Sequence, residues 1–303
     1  MKTDFISIAD HSREWIENIF ELAAEIKVKL KNGEAYQPLK GKSLVMIFQK
    51  PSARTRVSFE LGMWQLGGYA IYLAPSDIQM GKREATKDIA RLFSRYNDGI
   101  MARLFDHKDM IDLAKYADIP VINGLTDLLH PCQIMADLFT IKEHLGRITD
   151  FKIVFLGDGN NVAHSWINIA GKIPFHFVLS CPGGYEPRRE ILDAARAENV
   201  GKIEIIHDPY EAVKGADVLY TDVWASMGQE EEQAKRDRDF RNHQVNTRLV
   251  SNAKPGYKFM HCLPAHRGSE VTDEVIDSSN SIVFDEAENR LHVQKAIMVT
   301  LMG

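Results

Sequence analysis

Three features that would place this 303-residue chain in a special class of protein are missing from its sequence. No apolar run approaches the ~20 residues of a membrane-spanning helix, and the first residues, which include Asp4, form no apolar signal core. There are only three cysteines, Cys132, Cys181 and Cys262, and no CxxC pair. This usage argues against a disulfide framework or a zinc site and favours a reducing compartment. We therefore expect a cytoplasmic protein that does not associate with a membrane.

An excess of positive charge is also missing. Lys and Arg number 37 against 42 Asp and Glu, which gives a formal net charge of −5. A general nucleic-acid binder needs charge that neutralises phosphates, so we expect no nucleic-acid partner. The 45% of hydrophobic residues and 26% of charged residues are typical of a globular protein with a sizeable core. At ~150 residues per domain, the length predicts about two domains.

Apolar runs alternate with helical periodicities along the chain. The spacing of Trp15, Ile19, Leu22, Ile26 and Leu30 predicts an amphipathic helix over residues 10–31. Further helices are predicted from about residues 53, 87, 108, 131 and 161, and over 286–301. The predicted strands are 43–48, 69–73, 99–103, 120–123, 152–156, 175–180, 203–206, 218–221 and 257–261.

This alternation predicts an α/β protein with two domains, each built on a parallel β-sheet flanked by helices. A polar stretch at residues 146–151 separates the two series, so we predict domains at 1–149 and 150–285. The charged run 229–241 is too polar for a core, and we predict a mobile loop or an exposed helix there.

The first candidate site follows the strand 43–48, where Pro51 and Ser52 precede a helix. Free N–H groups at a helix start, hydroxyls from Ser52 and Thr55 and the guanidinium of Arg54 predict a phosphate-binding nest, to which Ala53 adds a backbone N–H. The alternative is an ordinary N-cap serine beside two solvated arginines. The segment lacks the GxxxxGK[ST] pattern of a Walker loop.

The second candidate site is the segment His130-Pro131-Cys132-Gln133. Pro131 suits the first position of a helix, which places His130 and Gln133 beside its N-terminus. Both side chains can then donate to a carbonyl oxygen or to an anion. The alternative is a histidine that serves only as a structural cap.

A third candidate site, Gly157-Asp158-Gly159, resembles half of a dinucleotide-binding fingerprint. The third glycine of that fingerprint is replaced by Val162, and the next strand ends in 180–182 without an acid, which argues against a dinucleotide. The glycines still predict a tight turn at the carboxyl edge of a sheet, where Asn161 can offer its amide to a ligand.

The fourth candidate site follows the strand 218–221. Asp222 can bind an ammonium group, and Ser226 can hydrogen-bond a substrate. The turn 226–228 and the charged run after it predict a mobile lid. An ordinary acidic loop at a strand end is the alternative.

The fifth candidate site is Cys262, between a strand and a rigid proline. Its thiol can act as a nucleophile, a metal ligand or a hydrogen-bonding group, although zinc is disfavoured because no other cysteine is near in the sequence. A buried inert cysteine is the alternative. Glu286 and Arg290 open the last helix, where a surface i,i+4 pair is the simple interpretation.

Together, these segments resemble the aspartate/ornithine carbamoyltransferase family over about residues 3–301. The motifs that carry the resemblance, in order, are Ser52-Ala53-Arg54-Thr55-Arg56, His130-Pro131-Cys132-Gln133, Asp222-Val223-Trp224-Ala225-Ser226-Met227-Gly228 and His261-Cys262-Leu263-Pro264. The last two are similar to the ornithine branch. Ala53 departs from the Thr or Met frequent in the family, but the backbone N–H expected to act there is unaffected.

The resemblance implies transfer of a carbamoyl group from carbamoyl phosphate to the δ-amine of L-ornithine, giving L-citrulline and phosphate, without a cofactor or a metal. It implies catalytic roles for Arg54, Arg103, His130, Asp222 and Cys262. The implied carbamoyl phosphate-binding residues are Ser52, Ala53, Arg54, Thr55, Gln79, Arg103, His130, Pro131, Cys132, Gln133, Cys262, Leu263 and Arg290. The implied ornithine-binding residues are Asn161, Asp222, Ser226 and Met227.

The resemblance also implies a homotrimer or an assembly of trimers with shared active sites, in which Gln79 reaches the site of a neighbouring subunit. The final helix, 286–303, is expected to return to the first domain. Other interpretations stay open: another amine acceptor such as putrescine, an N-acylated ornithine or aspartate; an inactive phosphate-ligand sensor or structural trimer; and a nucleotide-dependent dehydrogenase. A biosynthetic and a catabolic role use the same site, so the sequence does not distinguish them.

Overall fold

The strands of the chain lie in two separate parallel sheets, as seen in a computed structural model that describes residues 2–81, 83–225 and 230–303. The chain divides into two compact units. Unit 1 comprises Met1–Phe139 and Asn289–Gly303, and unit 2 comprises Thr140–Glu288. The prediction of an α/β fold with two parallel sheets is confirmed.

In unit 1, the described residues form a four-stranded sheet in the order β2-β1-β3-β4, with all strands parallel. The strands are β1 (Ser43–Phe48), β2 (Tyr69–Leu73), β3 (Gly99–Arg103) and β4 (Val121–Leu125). The helices are α1 (Arg13–Lys31), α2 (Ala53–Gln65), α3 (Pro75–Ile78), α4 (Thr86–Tyr96), α5 (His107–Tyr116) and α6 (Pro131–Leu145), whose last residues belong to unit 2. Because helices cover the sheet, the inner strands β1 and β3 are almost wholly buried and apolar.

In unit 2, the described strands form a five-stranded parallel sheet in the order β7-β6-β5-β8-β9. They are β5 (Lys152–Leu156), β6 (His176–Ser180), β7 (Lys202–Ile205), β8 (Val218–Thr221) and β9 (Lys258–His261). The helices are α7 (Asn161–Ala170), α8 (Arg189–Ala197), α9 (Pro209–Ala212), α10 (Gln233–Asp239), α11 (Thr247–Val250), α12 (Asp273–Ile276) and α13 (Val283–Met302), which continues into unit 1.

Each sheet has a point at which the strand order reverses direction. In unit 1, β1 is followed along the chain by β2 on one side and β3 on the other, and in unit 2 β5 has β6 on one side and β8 on the other. Loops leaving the carboxyl ends of such strands diverge and form a crevice where ligands bind in open α/β sheets. The segments after β1, β5 and β8 are the first, third and fourth candidate sites.

The C-terminal part of α13 packs on unit 1, as the resemblance implied. A Cβ on Gly62 of α2 would lie 2.9 Å from Met298 Cε, so the glycine permits the close approach of the two helices. Lys295 donates from Nζ to Gln65 Oε1 at 2.8 Å, and burial lowers the pKa of Lys295 to about 8. Asn289 accepts a hydrogen bond from Lys27 of α1 at 2.7 Å.

Two helix ends differ from their predictions. Ser12 caps α1, so this helix begins at Arg13 rather than at residue 10, and Leu30, predicted on its apolar face, is 38% exposed near the end of the helix. Helix α13 begins at Val283, before the predicted residue 286. Throughout the described ranges, no helix has both the length and the apolar character needed to cross a membrane.

The part of the charged run that the structure describes, residues 230–241, contains a largely exposed helix, as one of the two predicted alternatives stated, but one of its arginines is buried. It includes α10, and within α10 the side chain of Arg236 is buried. Arg236 donates to Asp158 Oδ2 at 2.7 Å, to the carbonyl of Trp224 at 2.9 Å and to Glu232 Oε2 at 2.9 Å. A charged side chain can be buried when its donors are paired in this way.

Candidate active site

The start of α2 is a capped turn with hydroxyls gathered at its N-terminus. Ser52 is the N-cap, and its Oγ accepts from the Thr55 N–H at 3.3 Å and donates to Thr55 Oγ1 at 3.1 Å. Arg54 and Ala53 are exposed on the first turn. The structure therefore contains the N-cap serine of the simpler interpretation, and it presents the free end of a helix, which favours an anion.

Arg290 of α13 connects the first and second candidate sites within unit 1. Its Nη2 donates to Thr55 Oγ1 at 3.4 Å, and its Nη1 donates to Gln133 Oε1 at 2.8 Å. Gln133 in turn donates from Nε2 to Asp137 Oδ1 at 2.7 Å. Arg290 and Gln133 are both buried, so this network fixes the positive charge of the Arg290 guanidinium beside the N-termini of α2 and α6.

His130 is buried among positive charges. Burial and then the charges of Arg290, Arg103 and Arg54 lower the pKa of His130 well below its ordinary value. The imidazole is thus neutral at physiological pH and can donate or accept a hydrogen bond without adding charge. These three arginines make the surroundings of His130 strongly electropositive.

Arg103 and Gln49 lie at the carboxyl edge of the unit 1 sheet, where Gln49 directly follows β1. Arg103 is the last residue of β3, is buried, and accepts from the Gln49 N–H through its carbonyl at 2.8 Å. Lys50 follows at this edge, and its Nζ lies 4.4 Å from the centroid of the Phe105 ring. Burial, and then the charge of Arg103, lower the pKa of Lys50.

Three other predicted residues of unit 1 have distinct surroundings. Pro131 is the first residue of α6, as its ring geometry favours. The thiol of Cys132 faces the carbonyl of Asn123 at 3.3 Å, and burial raises the pKa of Cys132 to about 12, so the thiol stays protonated. Gln79 is exposed at the end of α3, with φ 45°, on the wall of a pocket of about 630 Å³ that Phe105 also lines.

In unit 2, Asp222 is the centre of a hydrogen-bonded group. Cys262 donates from Sγ to Asp222 Oδ1 at 3.1 Å, and Asn160 donates from Nδ2 to Asp222 Oδ2 at 3.0 Å. Asn160 also caps α7, because its Oδ1 accepts from the Val162 and Ala163 N–H groups. The carboxylate follows β8 and the thiol follows β9, so the parallel sheet brings together two residues that are 40 positions apart.

Glu286 and Arg290 are both buried, which corrects the simple interpretation of a surface pair. Glu286 accepts from the backbone N–H of His261 at 2.9 Å and from the Tyr220 hydroxyl at 3.2 Å. It therefore fixes the end of β9 just before Cys262.

The glycine-rich turn after β5 has a packing reason. A Cβ on Gly159 would lie 2.4 Å from the backbone nitrogen of Pro187, so the turn lies directly against another stretch of backbone. Val162 stands where a dinucleotide fingerprint has its third glycine, and it is buried in α7. The contact with Pro187 accounts for Gly159 without a dinucleotide.

Comparison of this chain with characterised protein families identifies the family that it belongs to. Residues 3–143 match the family described as aspartate/ornithine carbamoyltransferase, carbamoyl-P binding domain. Residues 149–301 match the Asp/Orn binding domain of the same family. The chain belongs to the aspartate/ornithine carbamoyltransferase family.

Several relatives within this carbamoyltransferase family are similar along the whole chain. The chloroplastic ornithine carbamoyltransferase of Pisum sativum is 58% identical over 99% of this chain and 80% of its own length. The ornithine carbamoyltransferase of Thermococcus kodakarensis is 56% identical over 99% of this chain and 96% of its own. The solved structure of ornithine carbamoyltransferase from Pyrococcus furiosus is 54% identical, with a TM-score of 0.97, and covers 100% of this chain and 97% of that one.

The remaining positions implied by the carbamoyltransferase resemblance are less well defined by geometry. Asn161 is the first residue of α7 and is half-buried, and Leu263 follows Cys262 with a φ of 57°. Ser226 and Met227 lie outside the described residues, as does the whole of the turn 226–228, which was predicted to form part of a lid.

One group of side chains among the described residues has ligand atoms close enough to hold a metal ion. It consists of Asp222, His261 and Cys262, whose ligand atoms lie within 4.8 Å of one another. Both ring nitrogens of His261 are already hydrogen-bonded to the protein, and the thiol donates to the carboxylate. We therefore assign these groups to hydrogen bonding.

Sequence reasoning missed the hydrogen bonds by which Asn160 and Glu286 hold residues at or next to the candidate site. Asn160 carried a usable signal, because an asparagine directly before a predicted helix is a favoured N-cap. No sequence signal marked Glu286, because its hydrogen-bond partners lie on β8 and β9 and are distant from it in the sequence.

Proposed function

We propose that this protein is an ornithine carbamoyltransferase, which transfers the carbamoyl group of carbamoyl phosphate to the δ-amine of L-ornithine and releases L-citrulline and phosphate. The observation that carries the proposal is the 53–58% identity, over at least 99% of the chain, with relatives named ornithine carbamoyltransferase. The geometry of both units is consistent with it.

We propose that unit 1 binds carbamoyl phosphate. The start of α2, with Ser52, Ala53, Arg54 and Thr55, suits the phosphate, since helix N–H groups, hydroxyls and a guanidinium all favour a dianion. The neutral His130, beside Arg103, can donate to the carbonyl oxygen. Further ligand contacts are proposed for Pro131, Cys132, Gln133, Leu263, Cys262 and Arg290, and for Gln79 of a neighbouring subunit.

We propose that unit 2 binds ornithine through Asn161, Asp222, Ser226 and Met227. A carboxylate held by a thiol and an amide offers a fixed negative charge to an amino group. The domain bounds predicted from the sequence, 1–149 with 286–303 for the carbamoyl phosphate-binding domain and 150–285 for the ornithine-binding domain, remain predictions.

The chemistry requires that the δ-amine be unprotonated when it attacks. The free pKa of an alkyl amine is ~10.4, so the reactive form is scarce at neutral pH. The nitrogen lone pair forms a bond to the carbamoyl carbon, negative charge builds on the carbonyl oxygen, and the C–O bond to phosphate then breaks. The nitrogen loses its proton as citrulline forms, and the phosphate can take it up. No redox step is involved.

Each proposed role follows from where charge develops in this reaction. Arg54, Arg103 and His130 are proposed to stabilise the oxyanion and the leaving phosphate. Asp222 and Cys262 are proposed to orient the δ-amine of ornithine and to assist the transfer of its proton.

The decisive test is citrulline formation by the purified protein from carbamoyl phosphate and L-ornithine, without added metal or nucleotide. We expect turnover with ornithine and not with putrescine, N-acetylornithine or aspartate run in parallel. Turnover with another amine would overturn the assignment of the acceptor. A folded protein that binds carbamoyl phosphate but turns over none of these amines would instead be a sensor.

We also propose a cytoplasmic homotrimer or an assembly of trimers. Support comes from an apolar surface of unit 1, here called the α2–β2 face, made of Val57, Leu61, Trp64, Tyr69 and Ile71. Trp64 is 70% exposed and Tyr69 is 69% exposed. The first three residues follow helical spacing on α2, and β2 is an edge strand whose outer backbone groups can pair with another chain. Exposed apolar surface of this kind marks a protein interface.

Substituting Trp64→Glu is expected to dissociate the oligomer, because a carboxylate would be buried without a partner in the interface. Sedimentation or light scattering should show a fall from the mass of the assembly to that of one chain. Turnover should fall with it if Gln79 acts in a neighbouring site. Phe284→Glu, at an aromatic of unit 2 that is 74% exposed, is the matched control and should leave the mass unchanged. A Trp64→Glu variant that retains the wild-type mass would remove the α2–β2 face from the interface.

A further inference from the structure

The side chain of His261 is fully buried at the end of β9, and both of its ring nitrogens are used. Nδ1 accepts from the backbone N–H of Leu263 at 2.9 Å. Because Nδ1 accepts, the ring proton must lie on Nε2, which then donates to Glu270 Oε1 at 3.0 Å. The tautomer is therefore set by the partners on the two sides of the ring.

Glu270 is a carboxylate with no exposed surface, and it holds both ends of the turn that contains Cys262. Its Oε1 accepts from His261 Nε2 before Cys262 and from the backbone N–H of His266 after it, the latter at 2.6 Å. Removing a carboxylate from water is costly, and the two hydrogen bonds at Oε1 offset that cost, because the buried Oε2 has no hydrogen-bond partner among the described residues. A single buried oxygen atom thus connects residues 261 and 266.

The turn between these two ends has an uncommon backbone. Leu263 has a φ of 57°, in the left-handed region that leucine rarely adopts. The N–H of this same residue is the one that His261 accepts, so the ring helps to hold the conformation. Directly before it, Cys262 directs its thiol at Asp222 at 3.1 Å.

We propose that Glu270 and His261 are positioning residues that fix the Cys262–Leu263 turn against Asp222. This inference rests on the proposed function, because it is the use of Cys262, Leu263 and Asp222 in carbamoyl transfer that gives the turn its importance. Glu270 acts only through the imidazole and through the backbone of His266. It selects the Nε2–H tautomer, and that tautomer leaves Nδ1 free to hold the N–H of Leu263.

Substituting Glu270→Ala removes the acceptor for both donors. We expect kcat to fall about tenfold or more, because small displacements of positioned groups are costly to the rate. We expect the KM for carbamoyl phosphate to rise as Leu263 shifts. Partial unfolding alone would reduce the amount of active enzyme without changing a KM. Glu270→Gln keeps an Oε1 acceptor and should restore most of the activity.

The second readout is independent of turnover. Cys132 and Cys181 are buried and Cys262 is half-buried, so brief treatment of the native protein with iodoacetamide, followed by peptide mass analysis, reports on Cys262. We expect faster alkylation of Cys262 in Glu270→Ala than in the wild type, and the wild-type rate in Glu270→Gln. If the wild type did not use ornithine, this readout would still test the positioning of the turn.

Controls separate positioning from stability. Glu274→Ala changes an exposed acid on α12 and should leave kcat, both KM values and alkylation unchanged. If Glu270→Ala does not fold, Glu270→Asp, which shortens the side chain by one methylene, should show the same changes to a smaller degree. A folded Glu270 variant with a lowered melting temperature but wild-type KM values and Cys262 alkylation would overturn the proposal. Failure of Glu270→Gln to restore activity would overturn the role of the shared acceptor.

Discussion

Arg103→Ala is expected to reduce turnover by about 10²–10³-fold while the protein remains folded. Arg103 ends β3 at the carboxyl edge of the unit 1 sheet, and its charge is one of those that lower the pKa of the buried His130. We propose that its guanidinium contacts the carbonyl oxygen and the phosphate of carbamoyl phosphate, where negative charge develops during the reaction. A donor fixed in place before the reaction stabilises that charge more effectively than water does.

The measurement is kcat and KM for both substrates, with circular dichroism as a test of folding. Arg54→Ala is expected to show a loss of similar size, and Arg103→Lys should recover only part of the rate, because an ammonium lacks the planar fork of a guanidinium. Arg95→Ala, at an exposed arginine of α4, is the matched control and should behave as the wild type. Near-normal turnover in a folded Arg103→Ala protein would contradict the role assigned to this residue.

The strands of this fold were the most predictable elements. The predicted bounds of β1, β2, β3, β5 and β8 agree with the structure. All of these except the edge strand β2 are inner strands covered on both faces, for which a short apolar run between turn residues is a strong signal. Helix ends are set by single caps such as Ser12, and these shift a predicted end by a few residues.

Contacts between residues that are far apart in the sequence could not be predicted from local sequence patterns. Glu286 and Arg290 have the spacing of a surface ion pair, and only the fold shows that each is buried with partners elsewhere in the chain. Arg236 was missed for the same reason, since its position in a charged run concealed the bond to Asp158. A local pattern records residue type and period, whereas burial of a charge depends on which strand ends lie nearby.

The candidate site could be located because a parallel sheet gathers its carboxyl ends on one edge. Segments that are far apart in sequence, such as Asp222 and Cys262, become neighbours when β8 pairs with β9. The position of a residue at this edge does not by itself reveal the role of that residue. Cys132 belongs to a motif of the family, yet its thiol contacts the carbonyl of Asn123, so any contribution of this residue to ligand binding must come from its backbone or its packing.

Asp222→Asn is expected to reduce kcat/KM for ornithine by about 10²–10⁴-fold, the range associated with loss of a positioned proton-transfer group. The amide keeps the size of the side chain but has one acceptor oxygen for the two donors Cys262 and Asn160. The change therefore removes the negative charge that we propose for the amine of ornithine, together with one of these two hydrogen bonds. The KM for carbamoyl phosphate should change little, because that substrate is proposed to bind chiefly through unit 1. Steady-state kinetics with each substrate varied in turn measures both quantities. Asp193→Asn, at an exposed acid on α8, is the control, and an Asp222→Asn protein with an unchanged response to ornithine would transfer the amine-binding role to another group.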